Sequence, residues 1–424
     1  MKDNSGLPFS SEAKYKQVKN KNPRVSVVIP CYNHAHYLGD AIRSVLNQTY
    51  SDFEVIVIDD GSSDNTRQVA ESFGDQVRYI HQDNAGLSAA RNTGILAAQG
   101  DLIALLDADD LYEASFLQVI ADRFVWHPDV DAVYCGFRFV DGGNKPLPQP
   151  GDKVYPPEKL YHGLLKGNFL VPASMVVYKY CYETEGLFDT GLTAVEDWDR
   201  WLKIAKKYKV LGISDRLVRY RIVHESMSSN PERMLSNRLT VIRNHVGGDL
   251  SDYLEWSNEE REAYARVYLA ATVEYLQVHN FEKAYECFKK MVLILPDLFV
   301  ANDVWGELSW GDQARGYRGD YVTLHIQRNE SYLLSLLDKL LRDPQVPDSV
   351  TLRKSSAYAN AYYSLGLRSY CGGKLQKARH YFLEAVKADF HWLFRKDLCI
   401  TFLKSILGIR LVNWLRELKL SFGS

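Results

Sequence analysis

The chain of 424 residues carries 51 Lys and Arg against 53 Asp and Glu, which gives a formal net charge of −2 at pH 7. This balance supplies no overall basic field, so we predict no nucleic-acid partner. The length predicts two or three domains, and a hydrophobic content of 46% is enough for large cores.

Targeting and membrane-spanning segments are not visible in the sequence. Residues 1–23 form a polar tail without the apolar core of a signal peptide. No apolar run reaches the roughly 20 residues that a membrane span needs. The six cysteines are scattered without Cys-x-x-Cys spacing, which is typical of reduced thiols. We therefore predict a cytoplasmic protein.

Strands and helices alternate from Val25 to about Tyr134, a pattern that predicts an α/β domain with a mostly parallel sheet flanked by helices. The predicted strands are Val25–Pro30, Phe53–Asp60, Val77–His81, Leu102–Leu106 and the extended segment Ala132–Val140. The predicted helices are one with Leu38, Ile42, Val45 and Leu46 on its buried face, one from Asp64 as N-cap to Phe73, one from Ser88 through Ala98, and one at Ala114–His127.

Two of the predicted strands end in clustered carboxylates. One leads into Asp107, Asp109 and Asp110, and the other ends in Asp59 and Asp60. Ligands of open α/β sheets bind where such strands end. Clustered carboxylates repel one another unless they share a cation, and oxygen-only ligands suit Mg²⁺ or Mn²⁺ carrying substrate phosphates. The pattern favours a metal–nucleotide site over acidic loop residues that only cap the next helix.

The α/β region contains four short sequence motifs: Ser26–Asn33, Val57–Asp64, Gly86–Gly94 and Asp107–Asp110. In their order and spacing these motifs resemble glycosyltransferase family 2, of GT-A fold, and the similarity runs from about residue 24 to residue 224. The resemblance implies an inverting transferase that uses a nucleotide-activated sugar and a divalent metal ion.

The resemblance also implies roles for single residues. Asp60 would accept a hydrogen bond from the nucleotide base, and a carboxylate suits the imide of uracil, which favours a UDP-sugar. Arg91 lies one turn inside a helix N-terminus, where it would meet phosphate or the acidic cluster. A turn acid and a surface arginine are the alternatives for these two residues. The predicted nucleotide-binding residues are Pro30, Tyr32, Asn33, Asp60, Arg91 and Asp107, and the predicted metal ligands of the acidic cluster are Asp107, Asp109 and Asp110.

A second acidic block, Glu196 and Asp197, opens a predicted amphipathic helix. It resembles the family's Glu–Asp pair, whose aspartate is the catalytic base, so Asp197 is the predicted base and Glu196 its substitute. An acidic first turn that merely favours the helix dipole is the alternative. The family's processive polymerases carry Gln-x-x-Arg-Trp, whereas Arg200 and Trp201 here follow an aspartate, which favours transfer of a single sugar. His224 resembles the histidine that completes the metal shell in some relatives, or is an unrelated histidine.

From about residue 230 helical periods replace the alternation. Leu269–Leu295 and Tyr358–Phe390 each predict a helical hairpin, and a further helix is expected near Ser331–Arg342. The hairpins resemble tetratricopeptide repeats, although a plain helical domain remains an alternative. The tail from Trp392 is apolar and cationic, so it either docks at an anionic membrane face or packs on the preceding hairpin. The predicted domains are a polar tail at 1–23, a GT-A glycosyltransferase domain at 24–248 and an all-α domain at 249–424.

Taken together, the residues and the resemblance predict a metal-dependent inverting glycosyltransferase. It would use Mn²⁺ or Mg²⁺ and a nucleotide-sugar donor, with a glycan, a lipid-linked molecule or a protein as acceptor, in cell-surface glycan assembly. The predicted location is cytoplasmic or peripheral on the inner face of the membrane. A nucleotidyltransferase would need a Gly-rich loop after the first strand, where no glycine occurs before Gly39. An inactive glycan-binding scaffold would have lost an acidic block, and all are present.

Overall fold

The computed structural model describes residues 24–223, 230–248 and 255–406. These residues fall into two compact units that divide between residues 229 and 230. The first unit is α/β and the second is helical, so the predicted fold class is confirmed. No helix within the described ranges is long and apolar enough to cross a membrane.

The described part of the first unit is a nine-stranded sheet with helices packed against it. Its strands are β1 Val25–Cys31, β2 Phe53–Asp60, β3 Arg78–Gln82, β4 Leu102–Leu105, β5 Leu111–Tyr112, β6 Ala132–Val140, β7 Pro146–Gly151, β8 Met175–Tyr178 and β9 Val210–Arg221. Its α-helices are α1 Ala35–Leu46, α2 Thr66–Glu71, α3 Leu87–Ala97, α4 Phe116–Trp126, α5 Pro157–Leu165, α6 Lys179–Glu185 and α7 Glu196–Lys207, with short 3-10 helices at Gly74–Gln76 and Pro172–Ser174.

The strands run in the order β3-β2-β1-β4-β8-β6-β9-β5, and β7 pairs with β6. The first four strands of this order are parallel to one another. β8 runs antiparallel to both β4 and β6, so the other side of the sheet is mixed. Cys31 pairs with Asp59 at the carboxyl ends of β1 and β2, and β4 ends at the same edge. This edge is where ligands of α/β sheets bind.

Helix α3 lies unusually close to the sheet because one of its residues has no side chain. A Cβ on Gly94 would lie 2.2 Å from Cγ1 of Val28 in β1 and 3.2 Å from Cγ1 of Ile58 in β2. Contacts this short are not tolerated between carbon atoms, so glycine is required for the helix to pack at this depth. The close packing sets the position of Arg91, one turn earlier in the same helix.

Helix α2 differs most from its predicted bounds. The sequence predicted a helix from Asp64 as N-cap to Phe73, whereas α2 spans only Thr66–Glu71 and Asn65 occupies the capping position. Asp64 still serves the helix start, because its carboxylate accepts a hydrogen bond from the backbone N–H of Thr66 at 3.0 Å. A second N–H donor, that of Ala35, reaches the other oxygen of Asp64 at 2.9 Å.

The described elements of the second unit are all helices. Its described helices are α8 Pro231–Val246, α9 Asn258–Gln277, α10 Phe281–Ile294, α11 Asn302–Leu308, α12 Ile326–Leu341, α13 Asp348–Thr351, α14 Lys354–Cys371 and α15 Leu375–Ala388, a helix over residues 396–406, and 3-10 helices at Pro296–Val300 and Phe390–Phe394. Helices α9 and α10 form one hairpin and α14 and α15 form another, at the two places where the sequence predicts them.

Helix α8 explains why the unit boundary lies before the position given by the sequence analysis, residue 248. This helix packs against α9 and belongs to the second unit. Arg238 of α8 and Glu274 of α9 form a salt bridge at 2.6 Å. Met234, Val241 and Ile242 form the buried face of α8.

Candidate active site

The acidic cluster follows β4 directly and closes on itself in a tight turn. The backbone N–H of Asp110 donates to the carbonyl of Asp107 at 2.9 Å. The side chain of Asp110 is buried, and its Oδ1 accepts a hydrogen bond from the backbone N–H of Arg221 at 2.9 Å. Its Oδ2 is also buried and has no hydrogen-bond partner. An unpartnered buried carboxylate oxygen is costly, which marks this atom as a place for a ligand.

The carboxylates of the cluster disfavour one another's charge. Burial, followed by the charges of Asp109 and Asp107, raises the pKa of Asp110 well above its ordinary value. Burial and the charge of Asp107 also raise the pKa of Asp109, although the nearby charges of His34 and Arg221 oppose the shift. A cation placed among these groups would reverse the effect and hold them ionised.

Whether a metal ion fits this cluster depends on its free oxygens. Among the residues that the structure describes, no three His, Cys, Asp or Glu side chains are arranged around one point as metal ligands. The predicted ligand His224 lies outside the described residues. Even so, the oxygens available on Asp109 and Asp110, including the orphaned Oδ2, are hard ligands that suit Mg²⁺ or Mn²⁺. The chemistry of these donors therefore fits the predicted ion, which Asp109 and Asp110 would hold.

Arg91 connects the two acidic blocks. Its side chain is 1% exposed. Nη2 donates to both carboxylate oxygens of Asp107, at 2.8 and 3.1 Å, and Nη1 donates to Glu196 at 2.5 Å. Although burial disfavours its charge, Asp107 and Glu196 raise the pKa of Arg91, so the guanidinium stays ionised. It is therefore not a surface arginine. Nη1 and Nη2 join the two acidic blocks, whereas the buried Nε has no hydrogen-bond partner.

Asp197 has the environment of a proton acceptor. Its Oδ2 accepts a hydrogen bond from Nδ2 of Asn168 at 2.9 Å, and its Oδ1 accepts one from the backbone N–H of Trp198 at 2.8 Å. Burial, followed by the charge of Glu196, raises the pKa of Asp197 to about 7, against the opposing charge of Arg91. A carboxylate whose pKa lies close to neutral pH can both accept and release a proton under ordinary conditions.

Glu196 and Asp199, the neighbours of Asp197, are committed elsewhere. Glu196 is buried in its ion pair with Arg91. Asp199 is also buried and forms a salt bridge with Lys203, one turn further along α7, at 2.7 Å. Asp197 is therefore the carboxylate of this block that lies outside these two ion pairs.

The backbone immediately before this block is strained. Val195 has φ 55° and ψ 25°, the left-handed region that a β-branched residue rarely adopts. Strain of this kind costs about 1–3 kcal/mol and persists where the surrounding structure fixes the chain, often at active sites. Here it turns the chain into α7 so that Glu196 and Asp197 begin the helix at the acidic edge.

Asp60 organises its own loop. Its Oδ1 accepts hydrogen bonds from Gln82 Nε2 at 2.7 Å and from the backbone N–H of Ala85 at 2.9 Å, and its Oδ2 accepts one from Gly86 N–H at 2.9 Å. These three donors fix the chain that leads into α3. A carboxylate offers about four acceptor positions, and these three bonds occupy all but one of those of Asp60, whose side chain is 3% exposed.

The loop after β1 is tied to the loop after β2. Asn33, at φ 54°, donates its backbone N–H to Ser62 Oγ at 2.9 Å and accepts from the backbone N–H of Ser63 at 2.8 Å. Pro30 is the last residue but one of β1 and is buried. Tyr32 differs from both, because its ring is 51% exposed beside this edge. Of the predicted loop residues, Tyr32 is the one free to stack on a planar ligand.

Three residues of the site were not predicted from the sequence. Asn168 reaches Asp197 from the loop after α5, Val195 carries the strain, and Arg221 donates its backbone N–H to Asp110. Asn168 and Arg221 are distant in sequence from their partners, and a strained valine has no sequence signature.

Comparison with known proteins gives consistent matches. The family model "Glycosyl transferase family 2" matches residues 26–179. An uncharacterized glycosyltransferase of Rickettsia typhi is 35% identical over 220 residues, which cover 49% of this chain and 67% of that relative. The putative teichuronic acid biosynthesis glycosyltransferase TuaG of Bacillus subtilis is 30% identical over 218 residues, covering 50% of this chain and 84% of TuaG.

Among solved structures, S. aureus TarS residues 1–349 in complex with UDP aligns with a TM-score of 0.42 and 17% sequence identity. The alignment covers 86% of this chain and 91% of that one. The match to the family model lies within the first unit.

Proposed function

The chain belongs to glycosyl transferase family 2, and from that premise we propose the reaction of its active site. It moves one sugar from a UDP-sugar to an acceptor hydroxyl, with inversion at the anomeric carbon, and it depends on Mg²⁺ or Mn²⁺. Teichuronic acid biosynthesis, the process named for the Bacillus subtilis relative, supports a product in glycan assembly.

The observation that carries the proposal is the position and environment of Asp197. A sugar hydroxyl is a poor nucleophile near neutral pH, so its transfer needs a base that takes the proton as the new bond forms. Asp197 has a pKa raised to about 7 and lies on a different element from the acidic cluster after β4. Inversion requires the acceptor and the leaving group to lie on opposite sides of the sugar, and two separate elements can provide two sides.

Arg91 sets the relation between these two elements. Its guanidinium bonds to Asp107 on the donor side and to Glu196, next to the base, on the acceptor side. A shared rigid partner keeps the base and the cluster at a fixed separation, which is what an in-line transfer needs. The ion pairs of Arg91 with Asp107 and Glu196 therefore hold the base and the acidic cluster at a fixed distance.

Asp109 and Asp110 would hold the divalent ion, and Asp107 would stay with Arg91. When bound, the ion would supply charge neutralisation at the leaving diphosphate. The exposed ring of Tyr32 and the remaining acceptor position of Asp60 would receive the base of the nucleotide. The carboxylate of Asp60 favours the imide N–H of uracil, which supports UDP over other nucleotides.

We also infer that the hairpins of the second unit are tetratricopeptide-like. Two observations support this. Ala284 and Phe288 of α10 are buried, as are Ala378 and Phe382 at the corresponding places of α15. The connections inside the hairpins contain one residue of positive φ each, His279 at 58° and Gly373 at 70°.

The experiment that tests the function is a screen of donor hydrolysis and sugar transfer with a panel of nucleotide sugars, in Mn²⁺ and in EDTA. We expect activity with a UDP-sugar that EDTA abolishes. Asp197→Asn keeps the size of the side chain and can keep one of its two accepted hydrogen bonds, but it removes the basicity. Transfer should fall by about two to four orders of magnitude, the usual contribution of a general base, while UDP binding is retained.

The matched control is Asp75→Asn, which removes an exposed carboxylate from a turn of the same unit. Its activity should equal that of the unaltered protein. Near-normal transfer by Asp197→Asn, or a product that keeps the anomeric configuration of the donor, would reject the assigned base. Tighter binding of GDP than of UDP would reject the uridine preference.

A further inference from the structure

Large apolar side chains are exposed together at the C-terminal end of the described residues. Most exposed apolar residues of a folded protein are isolated, whereas a cluster marks a surface that contacts something else. The rings of Phe390 and Phe394 lie edge to face with their centroids 5.7 Å apart, and Phe394 is 73% exposed. The exposed members of this cluster, named here the apolar face, are Phe390, Leu393, Phe394, Ile400, Leu403 and Ile406.

The helix over residues 396–406 shows that this exposure is not a packing defect. One side of the helix is already buried, since Leu398 is 4% exposed and Phe402 packs against the core cluster around Phe382 and Trp392. Ile400, Leu403 and Ile406 are spaced three residues apart and follow one another along a second side. The helix therefore has one apolar side for the core and another for a different partner.

Cations border the apolar face. Lys396 and Lys404 lie four residues before and after Ile400, which places them beside it on the same side of the helix. Asp397 is the acid of this segment, and its carboxylate is occupied by Arg395 at 2.7 Å and by the hydroxyl of Tyr363 at 3.1 Å. The surface thus combines exposed apolar side chains with lysines whose charge has no acidic counterpart in the segment.

We propose that the apolar face docks onto the surface of an anionic lipid bilayer. Apolar side chains would enter the boundary of the acyl chains while the lysines meet the lipid phosphates, the arrangement of interfacial helices. The charge of the lysines favours an anionic surface as the partner of the apolar face. A second copy of the same face would bring like charges together, and so would residues 407–424, whose sequence holds Arg410, Arg416 and Lys419 against Glu417 alone.

This inference does not depend on the proposed sugar transfer, because it concerns the second unit and needs no donor or base. Its consequence for the protein is a location at the membrane surface, where a lipid-linked molecule would be within reach. The described helices do not cross the bilayer, so attachment would be peripheral and reversible.

The test is co-sedimentation of the full chain with vesicles. One set contains phosphatidylcholine with phosphatidylglycerol at about 7:3, and the other contains phosphatidylcholine alone. We expect binding to the anionic vesicles that weakens as salt is raised. Ile400→Ser/Leu403→Ser should weaken this binding about tenfold, and Lys396→Glu/Lys404→Glu should weaken it by a similar factor, with no change in the far-UV circular dichroism spectrum.

The matched control is Val322→Ser/Leu352→Ser, which removes two apolar side chains of the same unit that are 91% and 82% exposed but lie outside the apolar face. Its vesicle binding should be unchanged. Three results would overturn the proposal: absence of binding to anionic vesicles, equal loss in the control, or a dimer in light scattering that Ile400→Ser/Leu403→Ser converts to a monomer. The last result would assign the face to a second copy of the chain.

Discussion

At the scale of single residues, the titration of Asp197 should be visible in the reaction. Because burial and Glu196 raise its pKa to about 7, the carboxylate is protonated, and unable to act as a base, on the acid side of that value. We expect kcat/KM for transfer to rise with pH and to level off above about 7. A profile measured from pH 5 to 9 tests this, and Asp75→Asn, which removes an exposed carboxylate of the same unit, is the control.

The hydrogen bond from Asn168 to Asp197 should set the pH at which kcat/KM rises. It stabilises the ionised carboxylate, so its removal in Asn168→Ala raises the pKa of Asp197 further. The rising part of the pH profile, its acid limb, then moves to higher pH. A purely structural role would lower activity without moving the limb. The exposed Asn65→Ala is the control variant. An unmoved limb in Asn168→Ala would show that the amide does not act on the base.

Arg91 offers a prediction on stability. Replacing it by Met leaves Asp107 and Glu196 without their partner, and Glu196 is deeply buried. Removing one member of a buried ion pair costs about 3–5 kcal/mol because a charge is left uncompensated. Urea denaturation of Arg91→Met should show a loss of this size.

Arg67→Met provides the comparison, since Arg67 and Glu71 form an exposed pair. Exposed ion pairs contribute little to stability because solvent screens them, so the free energy of unfolding should stay close to that of the unaltered protein. Equal losses in the two variants would mean that the buried bridge of Arg91 does not exist in solution.

At the scale of elements, the packing of α3 on the sheet should depend on Gly94. Gly94→Ala places a methyl group 2.2 Å from Val28 Cγ1, and forcing a side chain into a filled core costs about 1–3 kcal/mol. Because the helix must move outward, Arg91 is displaced and transfer should fall as well. Val28→Ala in the same chain removes the clash and should restore part of both stability and activity.

Gly306→Ala is the matched control, because a Cβ there meets nothing within 4 Å and the residue lies inside α11. Alanine favours a helix over glycine by about 1 kcal/mol, so this variant should be equal to or more stable than the original. Thermal unfolding compares the stabilities of Gly94→Ala, of the same variant with Val28→Ala, and of Gly306→Ala. If Gly94→Ala left stability and transfer unchanged, the close approach of α3 to the sheet would be contradicted.

At the scale of the whole molecule, the place of the unit boundary is testable by limited truncation. A fragment ending at residue 229 contains the first unit without α8, and it should fold and bind UDP. A fragment ending at residue 248 adds α8 without its partner α9, which exposes Met234, Val241 and Ile242. That fragment should be more prone to aggregation.

Calorimetry with UDP and light scattering compare the two fragments. If the longer fragment is monomeric and the shorter one is unfolded, α8 belongs to the first unit and the boundary given by the sequence analysis is the better one. The catalytic variants above are unaffected by this outcome, because their residues all precede the boundary.

Much of the first unit was predictable because its determinants are local. Short apolar runs separated by amphipathic segments predict the first four parallel strands and their helices, and the carboxylates that follow β2 and β4 predict an acidic edge. The strands β5, β7 and β8 were missed, since β5 has only two residues, β7 contains three prolines and β8 has only four residues. The order of the motifs also identified the family, and the identification as a transferase is confirmed.

The sequence by itself determined the alternation of elements, the residue types at the acidic edge and the helical second half, because each depends on neighbours a few positions away. The tertiary structure decided the partners of the charges. Arg91 meets Glu196 across 105 positions and Asp110 meets Arg221 across 111. Asp197 owes its raised pKa to burial and to Glu196, while Asn168 and Arg91 restrain the shift. Burial and charge pairing act through space, so their effects appear only when the chain has folded.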